Sequence, residues 1–244
     1  MSRNNLLISV ILGSAFVFGS WFMSNMLQKK DLTRDVIEVT GLAEENFESD
    51  LIVWKGSFSK DAMELKDAYR LLKEDEKIVR SYLSEKGIAN DQMVFSSISI
   101  DKQFEYINLS DGSSRRIFKG YNLVQSVRIE SRDVPKVEQI SREITELIDS
   151  GIQLYSSSPE YYYTKLADLK IKMIANATKD ARLRAENIAQ NAKATLGKLK
   201  QADMGVFQIT AQNSSEEYSW GGTLNTSSKL KTASITMKLE FSTH

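Results

Sequence analysis

Residues 117–129, IFKGYNLVQSVRI, alternate apolar and polar side chains, so they read as a long strand with one buried face. Just before them lies NLSDGSS (Asn108–Ser114), whose central Asp111–Gly112 pair is a strong hairpin signal. MVFSSISI (Met93–Ile100) reads as a strand that Lys102–Ile107 either continues or pairs with, ahead of that turn. Working outward, each arm is flanked by a helix and then by another strand. On the N-terminal side, Asp61 and Glu64 match a capping box. The helix they open carries Leu65, Ala68, Tyr69, Leu72, Val79, Tyr82 and Leu83 on one face and closes at Gly87. LIVWKGSF (Leu51–Phe58) precedes it as a strand. On the C-terminal side a helix begins near Asp133, with Pro135 in its first turn. Its apolar face is Val137, Ile140, Ile144, Leu147 and Ile148. Gly151 ends it, and a short strand, Ile152–Ser156, follows. The order strand–helix–strand–strand–helix–strand is the split β-α-β element of ferredoxin-like units.

Further strands are expected at Val36–Thr40, ending at Gly41, and at Leu199–Thr210 and Leu230–Phe241. Glu44–Asp50 reads as a polar connection. Ser158 as N-cap and Pro159 as first residue predict a third helix running to about Lys193. Its second half places Ala177, Ala181, Ala185, Ala189 and Ala192 where another element can approach closely. The polar loop 211–229 is long enough to be either functional or mobile. The fold class expected is α+β: an N-terminal transmembrane helix, then mixed or antiparallel sheets packed with three helices.

The membrane segment is the run LLISVILGSAFVFGSWFMSNML, Leu6–Leu27, which holds no charged residue. As a helix it would span about 33 Å at roughly 1.5 Å per residue, matching a hydrocarbon core of about 30 Å. Trp21 falls toward one interface, and Lys29 and Lys30 stop the run. A cleaved signal peptide is the rival reading. The run is longer than a signal peptide's apolar region and lacks a clean A-x-A site, so an uncleaved anchor is expected. The chain then divides into an anchor, 1–30, and a water-soluble domain, 31–244. Lys29, Lys30 and Arg34 outnumber Arg3, and this alone leans toward a cytoplasmic domain.

Composition removes whole classes of chemistry. There is no cysteine, which excludes disulfides, thiolate nucleophiles and Cys-ligated metals. The only histidine is His244, the last residue, so Ser–His–Asp catalysis and His-based metal sites are not expected. Thirty-two basic residues balance thirty-two acidic ones, and no basic stripe stands out, so nucleic acid is not expected as a partner. No catalytic, cofactor-binding or metal-ligating residue is assigned. An enzyme here would have to work through carboxylates, Lys, Tyr or Ser alone; for a carboxylate-based one, such as a glycan hydrolase, no paired-carboxylate geometry is evident. The acidic residues Asp31, Asp35, Glu44, Glu45, Glu48 and Asp50 match no EF-hand spacing and read as a solvated linker. Lys73–Lys77 (KEDEK) reads as a solvated helix face. Trp220, beside Gly221 and Gly222 in the long loop, and the aromatic run Tyr161, Tyr162, Tyr163 at the expected helix start are the candidate interaction residues.

Five segments together resemble the SIMPL-domain family. They are VIEVTGLAEENFESDL (Val36–Leu51), SEKGIANDQMVFSSISI (Ser84–Ile100), GYNLVQSVRIESRDVPKVEQI (Gly120–Ile140), DARLRAENIAQNAKATLGKL (Asp180–Leu199) and ASITMKLEF (Ala233–Phe241). The Ala-rich helix is the most specific of them. The chain departs from the family where Ser49–Asp50 stands in place of a frequent Pro-Asp pair. The resemblance implies a bacterial envelope protein exported across the inner membrane, which outweighs the charge lean; with the uncharged run as anchor, a single-pass inner-membrane protein with its C-terminal domain in the periplasm is expected. It also implies an association with stress resistance and no defined enzymatic activity. The function expected is non-enzymatic, in envelope maintenance or stress resistance, with a homo-oligomer or other envelope proteins as partners. A sensory module binding a ligand or polymer is the alternative. No catalytic residue comes with the resemblance.

Overall fold

The computed structural model describes residues 13–24, 35–108 and 114–244. Residues 13–24 form α1, and every side chain of this helix is exposed. Among the described residues no helix is long and apolar enough to cross a membrane. The rest of the expected span, 6–12 and 25–27, lies outside the described residues, as does the Asp111–Gly112 turn. The remainder of the chain falls into two compact units. One comprises residues up to Ala43, Ile171–Phe207 and Ser234–His244; the other comprises Glu44–Lys170 and Gln208–Ala233.

The second unit contains the ferredoxin-like element. Its strands are β2 (Leu51–Ala62), β3 (Met93–Phe95), β4 (Ser99–Asn108), β5 (Ser114–Ser131), β6 (Gln153–Ser156) and β7 (Glu160–Tyr162). The sheet runs β3-β5-β2-β6, with β4 also on β5 and β7 also on β2, and every pairing is antiparallel. The helices are α2 (Leu65–Glu85) and α3 (Val134–Glu143), which tightens into a 3-10 segment to Ser150 and is closed by left-handed Gly151. Asp133 caps α3 by accepting the Lys136 amide, as its sequence position predicts.

The core is built by alternation. Ile52, Trp54 and Phe58 of β2 and Leu123, Val127 and Ile129 of β5 point to one face. Ala68, Leu72, Val79 and Leu83 of α2 and Val137, Ile140 and Ile144 of α3 cover that face. The indole of Trp54 lies along its own strand: a Cβ at Gly56 would sit 2.5 Å from Trp54 Cη2. Trp54 Nε1 donates to Ser156 Oγ at 3.0 Å, and Ser156 Oγ donates to the Ser141 carbonyl at 2.6 Å.

Several sequence expectations are corrected here. The helix does not start at Asp61. Strand β2 runs to Ala62 because Asp61 and Ala62 pair with Asn122 and Tyr121, and Glu64 becomes a cap without a side-chain bond. Ladder pairing outcompetes the capping box. The KEDEK run is not wholly a solvated face. Asp75 is buried and paired with Lys60 at 2.9 Å, and Lys60 also donates to the Gly151 carbonyl. Asp75 falls in the stripe Ala68–Leu72–Asp75–Val79–Leu83, whose spacing carries it inward. Tyr161 and Tyr162 do not begin a helix. They form β7 opposite Ile52 and Leu51, and the third long helix, α4, begins only at Leu166 and ends at Asn191.

In the first unit, the start of β1 (Val36–Glu48), the end of β10 (Leu230–Thr243) and β8 (Leu196–Met204) lie in one sheet, in the order β1-β10-β8. Glu44–Glu48, read as a connection, is therefore strand. Gly41 does not end the strand; it sits where α4 approaches most closely. A Cβ there would be 2.2 Å from the Ala177 carbonyl oxygen and 2.4 Å from the Ala181 amide nitrogen. Ala177, Ala181, Ala185 and Ala189 are buried as their spacing predicts, whereas Ala192 is exposed.

Replacing Gly56 by Ala will force the Trp54 indole off its seat and cost about 2 kcal/mol of stability, the usual scale of overpacking in a tight core. Urea denaturation followed by circular dichroism checks this. Gly221→Ala, which would meet nothing nearer than Ser219 Oγ at 4.0 Å, is the control expected to be near neutral.

Candidate functional site

The loop between β9 (Gln208–Ala211) and β10 is held by buried polar side chains. Gln208 is the principal one. Its Oε1 accepts the amides of Ser219 at 3.3 Å and Thr223 at 2.8 Å, and its Nε2 donates to the Ser219 carbonyl at 2.8 Å. Both ends of the segment 219–223 are thus tied to one side chain. Gly222, with φ +93°, completes the turn, and its amide donates to the Ser219 carbonyl. The Ile209 amide donates to the Thr223 carbonyl, and the Asn225 amide donates back to Ile209. Trp220 stands on this turn with 98% of its surface exposed.

A second clasp lies further along the loop. Glu216 accepts the Ala211 amide and an Asn225 side-chain N–H. Lys231 is only 2% exposed. Its Nζ donates to the carbonyls of Asn225 at 2.5 Å and Tyr161 at 2.6 Å, and the Tyr161 amide donates to the Thr226 carbonyl. Burial pushes the Lys231 amine down to about 8, opposed by the nearby Glu216 carboxylate. The loop is therefore an internally bonded element.

Of the interaction residues expected from sequence, only Trp220 is fully presented. Tyr161 is half-buried, and its hydroxyl donates to Glu138 at 2.8 Å. Burial, then that hydrogen bond, push its phenol up to about 12. Tyr162 is also half-buried. Its hydroxyl donates to Glu160, and this bond raises its pKa first of all. The neighbouring Tyr163 ring packs on Phe47 with centroids 4.7 Å apart. Together with Leu166, Leu224 and Lys231, the three tyrosines line a cavity of about 40 Å³. Small-molecule sites are typically about 300 Å³ or more, so the tyrosines buttress the loop rather than hold a ligand.

Lys231 and Gln208 are the loop-holding positions that composition and motif did not flag. The alternation of β10 places Lys231 on the same side as Ala233, Ile235, Met237, Leu239 and Phe241, all buried. That parity was a usable signal. Nothing comparable marks Gln208, because its partners lie in an irregular loop.

A larger concavity of about 500 Å³ opens beside β2 and β6, lined among others by Ser57, Ser59, Val124, Ile148, Gln153 and Tyr155. No carboxylate or amine lines it, so its walls offer hydroxyls, an amide and apolar contact. Among the described residues no cluster of three or more His, Cys, Asp or Glu side chains has metal-binding geometry.

A protein-family model described as SIMPL, protein of unknown function (DUF541), matches residues 37–240. A comparison with curated proteins finds no match.

Replacing Gln208 by Leu will leave the Ser219 and Thr223 amides without their partner and cost about 2 kcal/mol. It will also speed chymotrypsin cleavage after Tyr218 and Trp220 well beyond the change in global unfolding, as timed gels will show. For Lys231 the sign is fixed by its lowered value. Between about pH 8 and 10.5 the unfolded chain keeps a proton that the folded chain has released, so stability rises with pH across that window. Urea midpoints at about pH 7 and about pH 9.5 should show wild type gaining on Lys231→Met as pH rises.

Proposed function

We propose, proceeding from the fact that this chain belongs to the SIMPL family of proteins of unknown function, that it is a membrane-tethered envelope protein. It acts through protein contacts rather than catalysis. The observation that carries this reading is Trp220. An indole almost wholly exposed on a turn fixed at both ends is costly to leave in water and well suited to a partner's pocket. Tryptophan is among the residues most enriched at interface hot spots, and holding it rigid beforehand lowers the entropy lost on binding.

The tether rests on the uncharged run Leu6–Leu27 and on α1 within it. Phe16, Val17, Phe18, Trp21, Phe22 and Met23 are each between 61% and 79% exposed. An apolar helix surface of that kind needs lipid or a partner around it. The resemblance to exported family members favours a domain on the periplasmic side of a bacterial inner membrane, in envelope maintenance or stress resistance. A second reading, a sensory module for a small ligand or envelope polymer, is favoured by the concavity at Ser57, Ser59 and Tyr155.

A photo-crosslinking residue placed at position 220 in cells should give a discrete adduct, with a copy of the chain or another envelope protein. The same residue at Val94, which is 62% exposed away from the loop, should not. The adduct should disappear with Gln208→Leu while the protein stays folded. No adduct at 220, or equal labelling at both positions, would sink the contact reading.

A further inference from the structure

Strands β4 and β5 continue past the sheet as a two-stranded ribbon. β2 pairs with β5 only as far as Ala62 opposite Tyr121, so Ser114–Gly120 have β4 as their only ladder partner among the described residues. Isolated two-stranded ribbons are marginal in water, and this one is rich in apolar residues. Phe104 faces Phe118, and Tyr106 faces Arg116, on one side. The Arg116 guanidinium stacks 3.4 Å above the Phe104 ring centroid and 5.9 Å from that of Tyr106. The Phe104 and Phe118 rings meet edge to face. On the other side lie Ile107 and Ile117, 39% and 36% exposed, while Tyr106 is 65% exposed.

The charge is uneven too. The described ribbon residues, 103–108 and 114–120, hold three cations (Arg115, Arg116, Lys119) and one carboxylate (Glu105), in a chain whose totals balance. Glu105 is already engaged by Lys119 at 2.7 Å. The excess positive charge is therefore centred on Arg115 and Arg116.

We infer that this ribbon docks on an anionic lipid surface. Both faces of the ribbon carry apolar side chains, and cations sit among the rings. That combination suits the headgroup layer, where aromatic rings settle, guanidinium groups reach phosphates, and both faces can be wetted by lipid. The inference rests on the proposed tether, which would keep the ribbon's host near a bilayer.

Because the chain has no cysteine, Ser114→Cys gives one labelling site beside the ribbon's basic residues. An environment-sensitive dye there is read in full-length protein in nanodiscs, of phosphatidylcholine alone or mixed equally with phosphatidylglycerol. The expected result is a blue shift in the anionic discs only, abolished by Arg115→Glu with Arg116→Glu, which should weaken docking about thirtyfold at roughly 1 kcal/mol per basic residue. Arg115→Lys with Arg116→Lys should largely retain it. No shift, an equal shift in neutral discs, or a shift that grows with the number of chains per disc overturns the proposal, the last by placing a second copy on the ribbon. Failure of the chain to co-elute with discs sinks the tether separately. The labelled chain is then read with preformed anionic vesicles, where a shift supports ribbon docking and no shift overturns it.

Discussion

One indole sets the geometry of the ferredoxin-like unit. Trp54 is fully buried and folded back over the main chain at Gly56, a position at which any side chain would strike the ring. β2 is the strand that everything else in that unit reads. It pairs with β5 from Ile52 to Ala62 on one side, and with β6 and β7 on the other. A large aromatic seated on the central strand dominates the apolar area that the two helices can cover. Its N–H needs a partner in that dry setting and finds Ser156, which in turn donates to the Ser141 carbonyl near the end of α3. Strand, edge strand and helix are thereby fixed in register by a chain of two hydrogen bonds starting from one ring.

The buried charges extend the same logic. Lys60 ties β2 to Asp75 in α2 and to the carbonyl of Gly151. Lys231 ties β10 to Asn225 and Tyr161. Burying such groups brings little net stability, because desolvation offsets most of the attraction, but removing one partner leaves an expensive orphan. Their effect is to penalise alternatives: a slipped α2 or a detached loop would strand a charge away from water. In Lys231 and Gln208 that penalty is directed at a loop, not at a regular element, and the result is an irregular segment with few ways to relax.

Reading the sequence succeeded where a single periodicity governs an element. The β-α-β-β-α-β order, the Asp133 cap and the alanine face of α4 follow from spacing alone. It failed where two local signals competed and tertiary pairing decided between them. Asp61–Glu64 has the letters of a capping box, but Asp61 sits opposite Asn122 and bonds to its side chain, so the strand continues. Pro159 has the position of a helix start, yet the tyrosines after it find the edge of β2 at Ile52. Gly41 looks like a strand end because sequence cannot show that Ala177 and Ala181 press against it. Asp75 and Lys231 were legible in principle, since each occupies an apolar phase of its helix or strand. The charge itself obscured them. Of the interaction residues, Trp220 was legible by its surroundings of Gly, Ser and Asn, whereas the burial of Tyr161 and Tyr162 depends on strand pairing that no local pattern announces.

The manner in which Trp220 is held bears on what it is for. A loop that merely connects β9 to β10 could span that distance with fewer residues and no buried amide. Here the side-chain bonds of Gln208 go to the two residues that bracket the indole turn, and Asn225, Glu216 and Lys231 secure the segment beyond it. Gln208, Asn225 and Lys231 are buried polar groups, costly in a dry setting unless bonded, and each bonds to the loop. A flexible loop would bury its tryptophan against the nearest apolar surface; a fixed one cannot. Rigidity is therefore what keeps the ring in water, and an ordered ring in water has already met the ordering cost that binding would otherwise impose. The same reasoning separates Trp220 from Tyr161 and Tyr162, whose hydroxyls and rings are committed to Glu138, Glu160 and the loop's own underside. They are the support, and the indole is the part left uncommitted.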